Sequence, residues 1–405
     1  LSWIQSAAYL RRIMSPSLDA STAGVISIRH VNPITIFFLC CNETPEGGKI
    51  GIVKSLALSA TISLQNTSQI VVVKNILNKN FNIKHPADID PSDMLKWGKI
   101  FINGDWFGVS KDILDIFSFL KNQRRKNLID KMTSICIDYD RKELKIYTDG
   151  GRLIRPLLNV IDNDLAYNPK IANEVRDYLN GNESDKGWKS ILIKYPEVVD
   201  YEDVESSNYL MIASDLKKLK SNLENKNRKI VYKEESVLNR YGDYRYVNYT
   251  HCELASWLML GSISSLIPFS DHNYSTKNIV NFSQIKQCIG TYLTSYKDRM
   301  DISQILYHPQ LPLTYTKGNE QNNLNDLPVG ENVVVAIMSY TGYNQEDSLI
   351  FNQSAIDRGL FRVDSLKKYN AQIEKNPSTS QDDIFMRPDR NKVTGMNRGN
   401  YNKLN

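Results

Sequence analysis

The chain has 405 residues, 41% hydrophobic and 23% charged; the composition excludes a wholly disordered or fibrous protein, and the length calls for roughly two to four domains with several cores. Fifty Lys and Arg against 45 Asp and Glu give a net charge of +5, a mild excess that suits a nucleic-acid partner without demanding one. The five cysteines, Cys40, Cys41, Cys136, Cys252 and Cys288, include no CxxC pair, which excludes a disulfide framework and a zinc ribbon and points to a reducing, intracellular setting.

In chain order, a short helix is expected over Ile4 to Ile13, then a Gly/Pro-punctuated loop and the apolar stretch Gly51-Ile-Val-Lys-Ser-Leu-Ala-Leu58, a buried strand or short helix between which periodicity does not decide. Ile70-Val-Val-Val73 and Ile100-Phe-Ile102 read as strands, and Asn103-Gly104 as a hairpin turn. Ile113 to Arg125 has helical spacing. Its closing Lys121, Arg124, Arg125 and Lys126 offset the helix dipole, and a solvated helix end is expected for them. Strand character returns over 134–160 around Asp149-Gly-Gly151. Residues 162–245, rich in Asn, Asp, Lys and Glu, read as a small peripheral module with a charged helix from Ala213 to Lys226 and a flexible connection.

From His251 onward motifs crowd together. An apolar run from Ala255 to Phe269, interrupted by Ser, Gly and Pro, is no membrane span. Asp271-His-Asn273 reads as a hydrogen-bonded turn rather than a metal or acid/base pair, and a helix is expected from Ser283 to Tyr292. Asn319-Glu-Gln-Asn-Asn323 reads as a surface loop. Val333-Val-Val-Ala-Ile337 and Leu349-Ile-Phe351 read as strands flanking Tyr340-Thr-Gly-Tyr-Asn-Gln-Glu-Asp-Ser348. In that connection Glu346 and Asp347 offer carboxylates to a hard cation such as magnesium, although an acidic pair in a loop is more often solvent-exposed decoration. The start at Leu1 and the end at Asn405 read as those of an internal piece of a longer polypeptide.

Two further elements carry chemistry. In Glu43-Thr-Pro-Glu-Gly-Gly-Lys-Ile-Gly-Ile-Val-Lys54, Pro and three glycines hold a compact loop whose amides, with Lys49 and Lys54, could approach phosphate; the Gly-Lys-Ser/Thr ending of a Walker loop is missing. Lys277, Lys286 and Gln287 lie in or beside the expected helix, Lys suited to phosphate and Gln to sugar or base edges. HExxH, a Ser-His-Asp order and the dinucleotide glycine fingerprint are all absent from the sequence.

Taken together, Glu43-Thr-Pro-Glu-Gly47 with 51–58, Thr250-His-Cys-Glu253, Ile267-Pro-Phe269 with Asp271-His-Asn273, Gly342-Tyr-Asn-Gln-Glu-Asp-Ser348 and Ile356-Asp-Arg-Gly-Leu-Phe-Arg362 resemble, in the family's order, the second-largest (β-type) subunit of multisubunit DNA-dependent RNA polymerases. The Gln of the 342–348 run and the His-Cys-Glu run resemble the archaeal, eukaryotic and large-DNA-virus branch. The resemblance implies a mixed α+β, multidomain fold: fork at 1–62 and 130–165, external modules at 63–129 and 166–233, and the start of the hybrid-binding region at 234–405.

It also implies nucleotidyl transfer by two-metal chemistry, with the permanent Mg2+ on the largest subunit and Asp347 and Glu346 near the second, triphosphate-borne Mg2+. Gln287 and Lys286 fall near the RNA 3′ end, Lys277 where the family has an arginine, and Glu46 among residues facing nucleic acid or substrate. Implied partners are the largest subunit, smaller assembly subunits, DNA template, RNA transcript and NTPs. Ala255-Ser-Trp257 and Tyr274-Ser-Thr-Lys277 depart from the family pattern, and a lysine lacks the guanidinium's bidentate fork. With the Asn/Ile/Lys-rich character, these departures point to a viral or plasmid enzyme working in cytoplasm or virion; a cellular eukaryotic one would work in the nucleus. The competing reading is a noncatalytic structural remnant of such a subunit.

Overall fold

A computed structural model describes residues 2–14, 26–180, 188–226, 246–292, 298–299, 301–382, 384–389, 391 and 401. The strands Gly98–Ile102 and Asp105–Ser110 pair antiparallel around Asn103-Gly104, whose φ angles of 50° and 88° are the left-handed values a two-residue hairpin turn requires. Glu143–Tyr147 adds parallel to Gly98–Ile102, and Ser134–Asp138 completes a four-stranded sheet. The helices Ser68–Asn80 and Ile113–Arg125 share one core with it, built on Val73, Leu77, Ile100, Ile116, Leu120 and Leu144. The sheet joins residues on both sides of position 129, where the sequence reading ends the first external module.

Ile70-Val-Val-Val73, expected as a strand, lies inside the helix Ser68–Asn80. Ile70, Val73 and Leu77 recur at helical spacing and pack on the core, so burial of an amphipathic face overrides the β preference of branched side chains.

A six-stranded sheet is organised around the long strand Leu153–Ile161. Val199–Asp203, Thr61–Ile62, Asp164–Leu165 and His251–Cys252 all pair with it antiparallel, and Ile212–Ala213 extends the sheet parallel to His251–Cys252. Its core gathers Leu158, Ile171, Leu192, Val199, Leu219 and Cys252. The helix expected from Ala213 begins at Leu216, because the Asp215 carboxylate accepts the Lys218 N–H and caps the first turn. The expected flexible connection falls largely on 227–245, outside the described residues.

A third core joins the helices Trp3–Leu10 and Ser275–Gln287 through Ile4, Ala8, Ile263, Ile267, Phe282 and Leu324. The second of these was expected eight residues later in the chain, from Ser283 to Tyr292. It stops at Gln287 because Gly290 leaves to bridge Val329, an approach that a side chain at Gly290 would block against Pro328 and Val329. The Asn-rich tract expected as a loop is partly a short helix, Lys317–Gln321, seated on Ser265 through Gly318.

The runs 333–337 and 349–351, expected as strands, form none, and Val334 and Ile337 are fully exposed. Among the described residues no segment offers them a ladder of hydrogen bonds, and without one an extended run is not a strand. All five cysteines are free, and among the described residues no helix is long and apolar enough to cross a membrane.

Candidate functional site

The loop carrying Glu346 and Asp347 is closed on itself. The Tyr340 N–H donates to Asn344 Oδ1 at 3.1 Å, Asn344 Nδ2 donates to the Met338 carbonyl at 2.5 Å, and the Ser348 N–H donates to the Gln345 carbonyl at 3.1 Å. Gly342 turns the chain at φ 77°, and Glu346 and Asp347 follow at 55° and 65°. Two adjacent non-glycine residues in the left-handed region are uncommon and cost of order 1–2 kcal/mol each. Both acids are exposed, and among the described residues neither makes an ion pair. Such a pair supplies oxygen donors of the kind a hard divalent cation takes, with the rest of the coordination left to water, phosphate or another chain.

Lys286 and Gln287 end the helix Ser275–Gln287; Lys286 is half-buried and Gln287 exposed. Lys277, in the first turn, is exposed, as is Glu46 at the start of the turn Gly47–Lys49. Among the described residues no hydrogen bond or ion pair joins these residues to the 340–348 loop.

What sequence reasoning missed is the other acid of the same motif. Glu43 is 3% exposed; its Oε2 accepts the Ile263 N–H at 3.3 Å and lies directly against Gly261. Burial pushes its carboxyl above the ordinary range, opposed chiefly by the charge of Lys286. Reciprocally, burial lowers the Lys286 ammonium, Glu43 raises it, and Arg12 lowers it. Flanked by Asn42 and by Thr44-Pro45-Glu46, Glu43 gives no sign of this burial in the sequence.

Of the basic end of the helix Ile113–Arg125, expected to be solvated, Lys126 is exposed, but Lys121 and Arg124 are buried and Arg125 is half-buried in an ion-pair network. Arg124 donates to Glu202 Oε1 at 2.6 Å and to the Thr133 carbonyl at 3.0 Å, Lys121 reaches the same Glu202 oxygen at 3.2 Å, and Arg125 pairs with Asp200 at 2.6 Å. His251 Nε2 lies 3.4 Å from Asp200, and Arg155 pairs with Glu253 in the same motif while its guanidinium sits 5.0 Å from the rings of Phe37 and Phe38. The signal was present: acids two apart in 199–203 share a strand face, and bases three and four apart share a helix face.

Asp200, Glu202 and His251 are close enough to share a metal ion, but both Asp200 oxygens and Glu202 Oε1 already accept from guanidinium or ammonium groups. The cluster is an ion-pair core. A cavity of about 490 Å³ lined by Lys121, Arg125, Cys136, Tyr249 and His251 opens beside it, and none of the residues singled out in the sequence for catalysis or binding lines it. Asp271 and His272 are exposed in a turn closed by the His272 N–H donating to the Phe269 carbonyl.

Comparison with known proteins places these elements in a common frame. Family models described as RNA polymerase Rpb2 domains 3, 4, 5 and 6 match residues 1–62, 100–161, 188–255 and 263–405. The chain is 40% identical over 412 residues to the DNA-directed RNA polymerase subunit 2 of Acanthamoeba polyphaga mimivirus, covering 100% of this chain and 33% of the relative. It is 36% identical over 410 residues to the DNA-directed RNA polymerase II subunit 2 of Arabidopsis thaliana, 100% and 32% covered, and 28% identical over 403 residues to subunit Rpo2 of Sulfolobus acidocaldarius, 95% and 32% covered. The chain thus spans about a third of the length of these curated relatives. Four Rpb2 domains matched in chain order, by relatives from a virus, a plant and an archaeon alike, mean that this chain belongs to the second-largest (β-type) subunit family of multisubunit RNA polymerases.

Proposed function

We propose that this chain forms the fork, the two external modules and the start of the hybrid-binding region of a DNA-dependent RNA polymerase that transcribes DNA into RNA by nucleotidyl transfer. The observation that carries the reading is the pair Glu346 and Asp347, held in left-handed backbone by a self-closed loop, exposed and without ion pairs among the described residues. Acids in that state suit a Mg2+ that arrives with the triphosphate, and the metal's chemistry is to offset charge on the transferring phosphoryl group. Asn344 and Gly342 fix the loop that presents them, while Lys286, Gln287 and Lys277 offer donors to phosphate and sugar along the RNA–DNA hybrid and Glu46 faces the same substrate. The metal set is incomplete without acids of the largest subunit, so the chain by itself is inactive.

Partners under this reading are the largest subunit, the smaller assembly subunits, template DNA, transcript and NTPs. The 40% identity to a viral relative supports the viral branch, with work in cytoplasm or virion. The test is RNA extension on a primed template by enzyme reconstituted from full-length subunits, comparing wild type with Asp347→Ala across Mg2+ concentration. Normal assembly with loss of extension, worst at low Mg2+, is expected; unchanged extension would reduce the pair to a structural loop.

A further inference from the structure

The cavity of about 490 Å³ beside the ion-pair core lies between the two larger sheets. Lys121 and Arg125 reach it from the helix Ile113–Arg125, Cys136 from the strand Ser134–Asp138, and Val160 and His251 from the six-stranded sheet. Sites that take up a small organic molecule run from roughly 300 to 1,000 Å³ and favour the seam between two packed units.

The buried part of this wall carries more positive charge than its acids take up. Lys121, Arg124 and Arg125 face Asp200 and Glu202, three cations against two carboxylates. Burial and the neighbouring acids push the Cys136 thiol up, so it adds no negative charge. His251 is 3% exposed and committed to the wall, its ring nitrogens 2.9 Å from Thr250 Oγ1 and 3.4 Å from Asp200 Oδ2. Asp162, the one acid among the described residues that line the cavity, is exposed.

Both cations on the wall have unused donors. Among the described residues the Lys121 ammonium gives one hydrogen bond, to Glu202 Oε1 at 3.2 Å, and it lies 5.0 Å from the centre of the Phe117 ring. The Arg125 guanidinium holds Asp200 and Asn159 through Nε and Nη2, and among the described residues its Nη1 has no hydrogen bond. Such donors in a partly desolvated recess attract an anion more strongly than a surface lysine does, because fewer waters compete for it.

The exposed part of the wall is aromatic. Tyr139 and Tyr209 pack edge to face with ring centroids 5.7 Å apart, and the half-buried Tyr249 joins them in lining the cavity. Aromatic rings stack on a flat heterocycle. Together with the cationic floor they select a molecule that is flat at one end and anionic at the other.

We propose that this cavity is a binding site for a small organic anion, a flat ring joined to a phosphate and of nucleoside monophosphate size. The phosphate sits on Lys121 and Arg125 and the ring against Tyr139 and Tyr249. The site shares no residue with the 340–348 loop or with Lys277, Lys286, Gln287 and Glu46, so it stands independently of the chemistry proposed for them.

The experiment is isothermal titration calorimetry of this chain in chelator, without divalent metal, using adenosine monophosphate (AMP), inorganic phosphate and adenosine as separate probes. AMP is expected to bind at least about tenfold more tightly than either fragment, because it alone engages cations and rings together. Arg125→Gln should weaken both AMP and phosphate. Tyr139→Ala should weaken AMP by about tenfold, the order of one stacked base, and leave phosphate unchanged. Val160→Phe, which fills the cavity, should abolish both.

Absence of AMP binding, or phosphate binding as tight as that of AMP, overturns the proposal. Binding that Val160→Phe leaves intact overturns it as well, and loss of that binding in Asp347→Ala would then place the nucleotide at the 340–348 loop. Should Val160→Phe or Arg125→Gln fail to fold, Tyr139→Ala decides, since Tyr139 is 54% exposed and belongs to neither neighbouring core. A loss there confined to AMP supports the site, and an unchanged AMP affinity refutes it.

Discussion

Gly261 shows how one missing side chain fixes a site. A Cβ there would collide with the Glu43 carboxylate and press on the Cβ of Cys40 at 3.2 Å, and neither neighbour has solvent to move into, since Glu43 is 3% and Cys40 7% exposed. Gly261→Ala is therefore expected to destabilise the chain by about 1–3 kcal/mol, the usual range for overpacking a closed interior, read as a fall in the denaturant midpoint at unchanged slope. A change within about 0.5 kcal/mol, as for an ordinary surface site, would mean that the carboxylate is free to swing away. The residues around it were only half legible. Glu43 stood inside a motif quoted for its resemblance, but that its carboxylate accepts the Ile263 N–H depends on residues 220 positions apart coming together, which no local pattern encodes.

At the scale of elements, the helix Ile113–Arg125 and the strand Val199–Asp203 are joined by charge in the interior. Burial by itself raises Glu202, yet Arg124 and Lys121 hold it down at about 2, and Asp200 is likewise held well below the carboxylate range by His251, Arg124 and Arg125 against its burial. Replacing Glu202 by Gln leaves a buried excess of cations and is expected to cost about 3–5 kcal/mol, as breaking one side of a buried pair does. A carboxylate whose folded value lies below its unfolded one adds stability that is complete above the unfolded value, roughly 4.3 for Glu, and is lost as pH falls toward about 2. The gap between wild type and Glu202→Gln should accordingly be widest near neutrality and shrink through that acid window in urea titrations at a series of pH values. A gap that stayed constant with pH would show that packing, not charge, accounts for the loss. Helical spacing in 113–125 gave this helix its exact bounds from sequence, whereas 70–73 was misread because β-branched residues satisfy a strand's preference and a helix's buried face equally well. The basic turn was misread for a related reason: dipole compensation explains cations at a helix end whether water or a carboxylate receives them.

For the whole molecule, the order of motifs along the chain was legible because the resembling runs are short and contiguous in sequence, and the matched domains follow that order. The pairing of segments was less so. A strand is defined by its neighbour, and the apolar run 333–337 has none among the described residues, leaving Val334 and Ile337 fully exposed with Val335, Leu349 and Phe351 also open to solvent. An apolar stretch of that kind, unpaired and with no charge between 332 and 345, presents both hydrophobic surface and free backbone groups, the combination that drives edge-to-edge association. Because these side chains touch no core, replacing Val334 and Ile337 together by Ser should leave the melting transition of the isolated chain within about 0.5 kcal/mol of wild type, as for other surface changes. Self-association, followed by sedimentation velocity over a concentration series, should weaken. Loss of the cooperative transition instead would place the run inside a core of this chain, and unchanged association would shift the sticky surface elsewhere, to the exposed Leu10 or Phe269.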